Sequence, residues 1–267
     1  TQKGDGFQRG GVITSSGLFT ARPAVGDYVA VDKTMDCADA LDMANDMKKS
    51  GLDTYAAYLS GRGWTVYVKD ASASAVEKAA DENASRVSFE GVAITGGEAP
   101  VLVPEDAVMM GGNVADTFKL NSMPYRGMLT FSVNGSSMTG VNIIGLEEYL
   151  YGVVPSEMPK SYDAEALKAQ AVAARTYAMT KLGAHTGSGY QLCDTTACQV
   201  YKGYSNEADA TTAAVDATAG EVACYNGSPI EAVFSASTGG YTESSENVWN
   251  AAVPYLRAVP EPGEYGD

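Results

Sequence analysis

The sequence predicts an α+β protein: a small β-α-β-β-α domain over residues 26–87, then a mixed α/β domain over residues 88–267 built around one long, alanine-rich helix. Three observations carry this. Short β-branched and aromatic runs stand between glycine-rich turns, and apolar residues recur at helical spacing in two windows before residue 90. Further on, Leu167, Ala171, Ala174, Ala178 and Leu182 fall at i, i+4, i+7, i+11 and i+15, a single apolar stripe. A chain of 267 residues suits two domains, and 45% hydrophobic with 19% charged residues is ordinary globular composition.

Charge narrows the partners. The formal net charge is −15 and the isoelectric point about 4.4. Such a surface repels nucleic acid and anionic lipid headgroups, so neither is expected to bind. No stretch approaches the ~20 apolar residues that cross a bilayer. The chain opens at Thr1 without a Met, as a mature or trimmed product would, so a missing signal peptide does not imply cytoplasmic residence. No period of about 20–50 residues recurs, which removes repeat architectures.

Residues 1–25, rich in Gly, Ser and Thr, read as an extended arm. Tyr28–Val31 reads as a strand. Asp36 can cap a helix through Lys49, with Ala40, Leu41, Ala44 and Met47 inside and Gly51 as its stop. Thr54–Leu59 and Trp64–Val68 are strands joined by Ser60-Gly61-Arg62-Gly63, and a second helix runs from about Ser74 to Ser85. This order and the aromatic hairpin resemble a SPOR-type domain, whose members bind glycan strands stripped of their peptides. The resemblance implies that one aromatic face among Tyr55, Tyr58, Trp64 and Tyr67 stacks on sugar rings. The alternative is that these rings pack the sheet.

Residues 88–125 read as short strands and turns. Met128–Val133 and Met138–Ile144 form a clear strand pair, with Asn134-Gly135 between them as the hairpin signal. Next comes Pro155-Ser156-Glu157-Met158-Pro159. The residue before a proline is pushed out of the helical region, so Glu157 is expected on a short, stiff, non-helical turn. Rigid placement suits a carboxyl that must meet one oxygen in one geometry, although a surface glutamate in a turn would look the same. The long helix follows, capped by Asp163 or Ser161 and ended by Gly183. Lys168 and Arg175, seven apart, share a face that is either solvated or turned into a cleft.

Residues 146–178, "LEEYLYGVVPSEMPKSYDAEALKAQAVAARTYA", closely resemble the SpoIID/LytB family. Further landmarks follow in order: "CDTTACQVYKGY", "AVDATAGEV", "FSASTGGYTESSENVW" and "VPYLRAV". The resemblance covers about residue 88 to the end. It implies a mixed α/β catalytic domain of SpoIID type. It also implies a lytic transglycosylase that cuts MurNAc-β-1,4-GlcNAc bonds, prefers peptide-free strands and leaves 1,6-anhydro ends. By the family motif Glu157 is the single acid/base. Gln170, Arg175 and Tyr177 match the helix motif, and Arg175 would orient Glu157 or hold a sugar oxygen. Gln199, Tyr201, Ser237, Thr238, Gly239 and Gly240 are candidates to line the groove; each can equally be a structural hydrogen bond or turn.

The chemistry itself requires no cofactor. Cys193 and Cys198 match a position where some members bind zinc, with His185 as a third ligand; a local disulfide is the rival. Cys37 and Cys224 are expected as small buried residues. The resemblance also implies an extracytoplasmic protein, secreted or wall-associated, with peptidoglycan glycan strands as partner. The LytB branch adds an alternative, a non-catalytic enhancer of an N-acetylmuramoyl-L-alanine amidase.

Overall fold

A computed structural model describes residues 20–59, 62–95, 99–104, 108–110, 117–120, 123–261 and 263. Helix and strand take near-equal shares, 32% and 30%, which is the α+β class predicted. The chain divides into two compact units, Thr1–Ile144 and Gly145–Asp267.

The first unit begins with β1 (Thr20–Val31), α1 (Cys37–Lys49), β2 (Asp53–Leu59), β3 (Gly63–Lys69), α2 (Ala73–Ala80), β4 (Ala84–Thr95) and β5 (Val101–Pro104). The five strands close a barrel in the order β1-β3-β2-β5-β4, with β4 returning antiparallel to β1. The β-α-β-β-α order is the one expected. The expected boundary at residues 87/88 falls inside β4, whose pairing with β5 draws residues up to Pro104 into the barrel. Of the expected arm, residues 1–19 lie outside the described residues, and from Thr20 the chain is barrel strand.

Local chemistry explains the elements. Asp36 accepts from the Asp39 N–H at 2.9 Å and caps α1, and Gly51 takes φ +86 just past its end. Helix α2 is shorter than expected because Asp81 turns left-handed at φ 52, which redirects the chain into β4 at Ala84.

Alternation along the strands builds two apolar layers. The outward set, including Val29, Val31, Trp64, Val66, Val68 and Val92, packs with Ala40, Ala44 and Met47 of α1 and Val76 of α2. The inward set fills the barrel with Tyr28, Tyr55, Tyr67, Phe89 and Leu102. Its rings meet edge-on, Tyr28 to Tyr55 at 6.1 Å and Tyr67 to Phe89 at 5.7 Å between centroids. Gly91 is required here, since a Cβ would stand 2.3 Å from the Val103 carbonyl oxygen. The expected sugar-stacking face is corrected accordingly. Tyr55, Trp64 and Tyr67 are 3%, 4% and 6% exposed, and Tyr58 leans on Trp64 at 5.3 Å, so the rings pack the sheet.

The rest of this unit is a sheet of β6 (Val108–Met110), β9 (Met128–Asn134) and β10 (Ser137–Ile143) in the order β10-β9-β6, with a separate pair, β7 (Phe118–Leu120) and β8 (Met123–Tyr125). Leu129, Phe131 and Val133 of β9 join the outward core. The β9–β10 loop is Gly135-Ser136, with φ +58 at Gly135. Positive φ at the first loop position marks a type II′ turn.

The second unit holds α3 (Leu146–Glu157), α4 (Ala164–Lys181), α5 (Asp209–Ala217), a two-residue pair β11 (Cys224–Tyr225) and β12 (Ser228–Pro229), and α6 (Glu246–Trp249). The alanine-rich helix about which this domain was expected to be built packs on helices rather than on a sheet: α4 lies against α3 and α5. It is buried on more than one side, at Leu167, Gln170, Ala171, Ala174, Arg175, Thr176 and Ala178, and its alanines admit a helix on each flank. Leu182, expected on the stripe, is the exposed C-cap. No described helix is long and apolar enough to cross a membrane.

Arg175 locks the three helices. It is 1% exposed, and all five of its N–H donors have acceptors. Nε and Nη2 donate to the Glu147 carboxylate at 2.9 and 2.6 Å, Nη2 also to the Val215 carbonyl, and Nη1 to Thr218 Oγ1 and the Glu221 carbonyl. Glu147→Ala should therefore strand a buried cation and cost about 3 kcal/mol in unfolding free energy, measured by urea titration. A loss within about 0.5 kcal/mol would mean the pair is not what holds the helices.

Candidate functional site

Glu157 is the last residue of α3, not part of a non-helical turn. Pro155 lies inside the helix, and Val154 keeps helical geometry despite the usual bias before proline. Side chains repair the final turn. Ser156 Oγ donates to the Gly152 carbonyl at 2.8 Å, Asn206 Nδ2 donates to Ser156 Oγ at 2.7 Å, and the Met158 N–H closes on the Val154 carbonyl at 2.9 Å. The second proline acts as expected. Met158, ahead of Pro159, is extended at φ −136, ψ 133, so the chain leaves the helix immediately after the carboxyl.

One oxygen of that half-buried carboxyl, Oε1, accepts the Val200 N–H at 2.9 Å. The other has no hydrogen bond among the described residues. Val200 is fixed from both sides. Gln199, 1% exposed, donates from Nε2 to the Ala174 carbonyl at 3.2 Å and accepts the Tyr149 hydroxyl at 3.3 Å. The Tyr201 N–H donates to the Asp194 carbonyl at 3.1 Å, and its ring lies 5.3 Å from that of Tyr149. Gly152 makes room for it: a Cβ there would be 2.6 Å from the Tyr201 ring. Burial, followed by the nearby Cys198, Cys193 and Glu157, pushes the Tyr149 hydroxyl well above the usual tyrosine range.

The other sequence-derived candidates separate into groups. Gln199 and Tyr201 are brought to Glu157, Gln199 as a buried strut. Arg175 has no donor left for Glu157 or a sugar, so its expected role is corrected to holding the helices. Gln170 is 8% exposed and its Nε2 has no hydrogen-bond partner among the described residues, a rarity for a buried amide. Tyr177, one face of α4 further along, meets Phe234 edge-on at 6.3 Å and lies under Lys181 Nζ at 5.6 Å, while Lys181 pairs with Glu231. Ser237, Thr238, Gly239 and Gly240 form a turn with φ +70 and +93 at the two glycines. It is tied to the C-terminal segment, where Thr238 Oγ1 donates to Glu261 Oε2 at 3.0 Å and the Glu261 N–H donates to the Gly240 carbonyl at 2.8 Å. None of these bonds reaches Glu157.

His185, Cys193 and Cys198 do come together. One ligand atom of each lies within 4.8 Å of the others, and His185 Nε2 is 3.3 Å from Cys198 Sγ. Ligand atoms of one tetrahedral zinc stand roughly 3.5–4 Å apart, so two sulfurs and an imidazole at this spacing fit such an ion with one position left over. The cysteines are thiols. A hydrogen bond with the Thr195 hydroxyl draws the Cys193 thiol down to about 7, whereas burial pushes Cys198 up. His185 stacks on Tyr190 at 5.0 Å. Contrary to expectation Cys224 is exposed, lying in the short β11 with no core over it, and Cys37 is half-buried.

Sequence reasoning missed Tyr149, Gly152 and the Val200 N–H. A glycine inside a helix is a signal of close approach by another segment and could have flagged Gly152. A backbone donor leaves no trace in residue type.

Glu157, at a helix end, is thus clasped by a backbone N–H of the segment that also carries Cys193 and Cys198, and a carboxyl so held can exchange a proton with a bound ligand. Residues 134–225 match the SpoIID family model, described as Stage II sporulation protein. The chain is 38% identical over 200 residues to an uncharacterized protein of Brachyspira hyodysenteriae, covering 73% of this chain and 54% of that one. To the Amidase enhancer of Bacillus subtilis it is 55% identical over 109 residues, 41% of this chain and 14% of that one. To Stage II sporulation protein D of Bacillus subtilis it is 41% identical over 137 residues, 46% and 40% of the two chains. The chain thus spans about half, or less, of the length of these curated relatives.

Gly152→Ala should cost about 1–3 kcal/mol by overpacking against Tyr201. It should also broaden the tyrosine near-ultraviolet circular dichroism more than the far-ultraviolet signal. Wild-type stability would show that the Tyr201 contact is loose.

Proposed function

We propose that this protein is a peptidoglycan lytic transglycosylase acting outside the cytoplasm. It would cut the MurNAc-β-1,4-GlcNAc bond of peptide-free strands and leave 1,6-anhydro-MurNAc ends. The observation that carries this reading is the state of Glu157: one oxygen held by the Val200 N–H, the other without a partner among the described residues. A carboxyl held by one edge can turn the other to a substrate oxygen.

The chemistry needs only that group. Protonated Glu157 gives its proton to the glycosidic oxygen as the bond from C1 of the muramyl residue breaks. The muramyl C6 hydroxyl oxygen then bonds to C1, and its proton passes to the Glu157 carboxylate, restoring the acid. Internal attack removes the need for a positioned water or a second carboxyl, unlike ordinary hydrolysis by paired carboxylates. Gln170, with its buried and unsatisfied amide, is the first candidate to meet a sugar oxygen. Tyr177, Tyr201 and the turn from Ser237 to Gly240 follow.

Structural zinc is part of this proposal. His185, Cys193 and Cys198 would hold it, and the ion would cross-link the loop that ends in Gln199 and Val200 without entering the reaction. A second reading, a glycan-binding enhancer of an N-acetylmuramoyl-L-alanine amidase, is favoured by the 55% identity with the Amidase enhancer segment.

Incubation with peptide-free strands should release anhydro-muramyl ends detectable by mass spectrometry, and Glu157→Gln should slow this by on the order of 10²–10⁴. An unchanged rate in that variant would end the lyase reading. If parent and variant both release nothing yet both stimulate an amidase, the enhancer reading replaces it. For the metal, purified protein should carry about one zinc per chain. Chelation or Cys198→Ser should lower the melting temperature by roughly 2–4 °C for each kcal/mol of lost linkage. A melting curve indifferent to chelator would remove zinc from the picture.

A further inference from the structure

Residues 145–267 hold six basic side chains against sixteen acidic ones. Four of the six are ion-paired: Lys168 with Glu165, Arg175 with Glu147, Lys181 with Glu231 and Arg257 with Glu246. The two with no ion pair among the described residues are Lys160 and Lys202, both exposed. Their places in the chain are not arbitrary. Lys160 follows Glu157 by three residues, and Lys202 follows Val200, the donor to Glu157, by two. Each trans step advances the Cα by about 3.8 Å. Lys160 therefore stands within roughly 11 Å of Glu157, and Lys202 within roughly 8 Å of Val200, Cα to Cα. A lysine stem is long and flexible enough to bring its ammonium to a ligand beside the carboxyl.

In a unit with a large acidic excess, a lysine has carboxylates to pair with on most of the surface. Two that stay unpaired, both beside the same acid, leave their charge available to a ligand. The net field of the protein repels an anionic polymer, and local cations at the point of attachment offset that repulsion.

We propose that Lys160 and Lys202 form a carboxylate-reading pair that selects strands whose muramyl residues carry free lactyl carboxylates. This rests on the lyase reading for the identity of the strand. While a peptide is attached, the lactyl group is a neutral amide; once the peptide is gone, it is an anion one short branch from the sugar ring. The pair thus converts the presence or absence of a peptide into a difference of charge beside Glu157.

The test measures binding, so that it does not depend on cleavage. Full-length Glu157→Gln protein, which keeps strands intact, is titrated into fluorescently labelled peptide-free strands, and into the same strands with their carboxylates capped as methyl amides. Carboxylate strands should bind tighter by on the order of tenfold at low salt, and the advantage should shrink at about 1 M salt. Adding Lys160→Gln and Lys202→Gln together should erase the preference, and the corresponding Arg pair should retain most of it. The proposal is overturned if the double Gln variant keeps the preference, or if the reference protein does not distinguish the two strands, including by binding neither. Preference without anhydro-end release by the parent would sink the lyase reading and leave the lysine pair standing. Release without preference would do the reverse.

Discussion

The guanidinium of Arg175 sits at the meeting point of α3, α4 and α5, and the arrangement of the second unit follows from the need to satisfy it. A buried cation costs several kcal/mol unless every donor is matched. Here the acceptors come from Glu147 at the start of α3, from Val215 and Thr218 at the end of α5, and from the turn at Glu221. Those segments must converge together. Glu147 and Glu157 occupy opposite ends of one helix, so the charge that anchors α3 lies roughly 15 Å along the axis from the carboxyl it positions. The carboxyl at the far end is thus held through a support that lies away from it, centred on a guanidinium 1% exposed.

A second segment completes the site with unusual economy of chain. Between Cys193 and Tyr201 the protein places two thiols, a buried strut, a backbone donor and a packed ring. Each fastens to something different: His185, α4, Glu157 and α3 in turn. The orientation of the acid is therefore coupled to the order of this loop, and anything that stiffens the Cys₂His end stiffens the clasp at Val200.

Much of this was legible in the residues. The α1 cap at Asp36, the β2–β3 hairpin and the span of α4 follow from local rules of capping, alternation and glycine stops, and the structure has them where those rules put them. Helix α3 was not legible because its start has no side-chain cap and its last turn contains a proline, each of which argues locally against helix. Tertiary contacts override both. The partnership of α4 with two helices was hidden because an alanine-rich face suits close packing on a helix or on a sheet. Arg175 reads in sequence as a site cation. Only the position of Glu147, one helix away, makes it structural. Within the site, Glu157, Tyr201 and the Cys₂His set could be named in advance, whereas the bond that holds Glu157 comes from main chain and has no residue signature.

The closed ring of β1 to β5 has a consequence for how the first unit can meet other molecules. Each of its five strands has a neighbour on both flanks over at least part of its length, so the doubly paired stretches, Tyr28–Ala30 of β1 among them, give a foreign peptide no ladder to extend by main-chain pairing. Recruitment at those stretches must use side chains rather than main chain. The same pairing shields those stretches from edge-to-edge association with another copy.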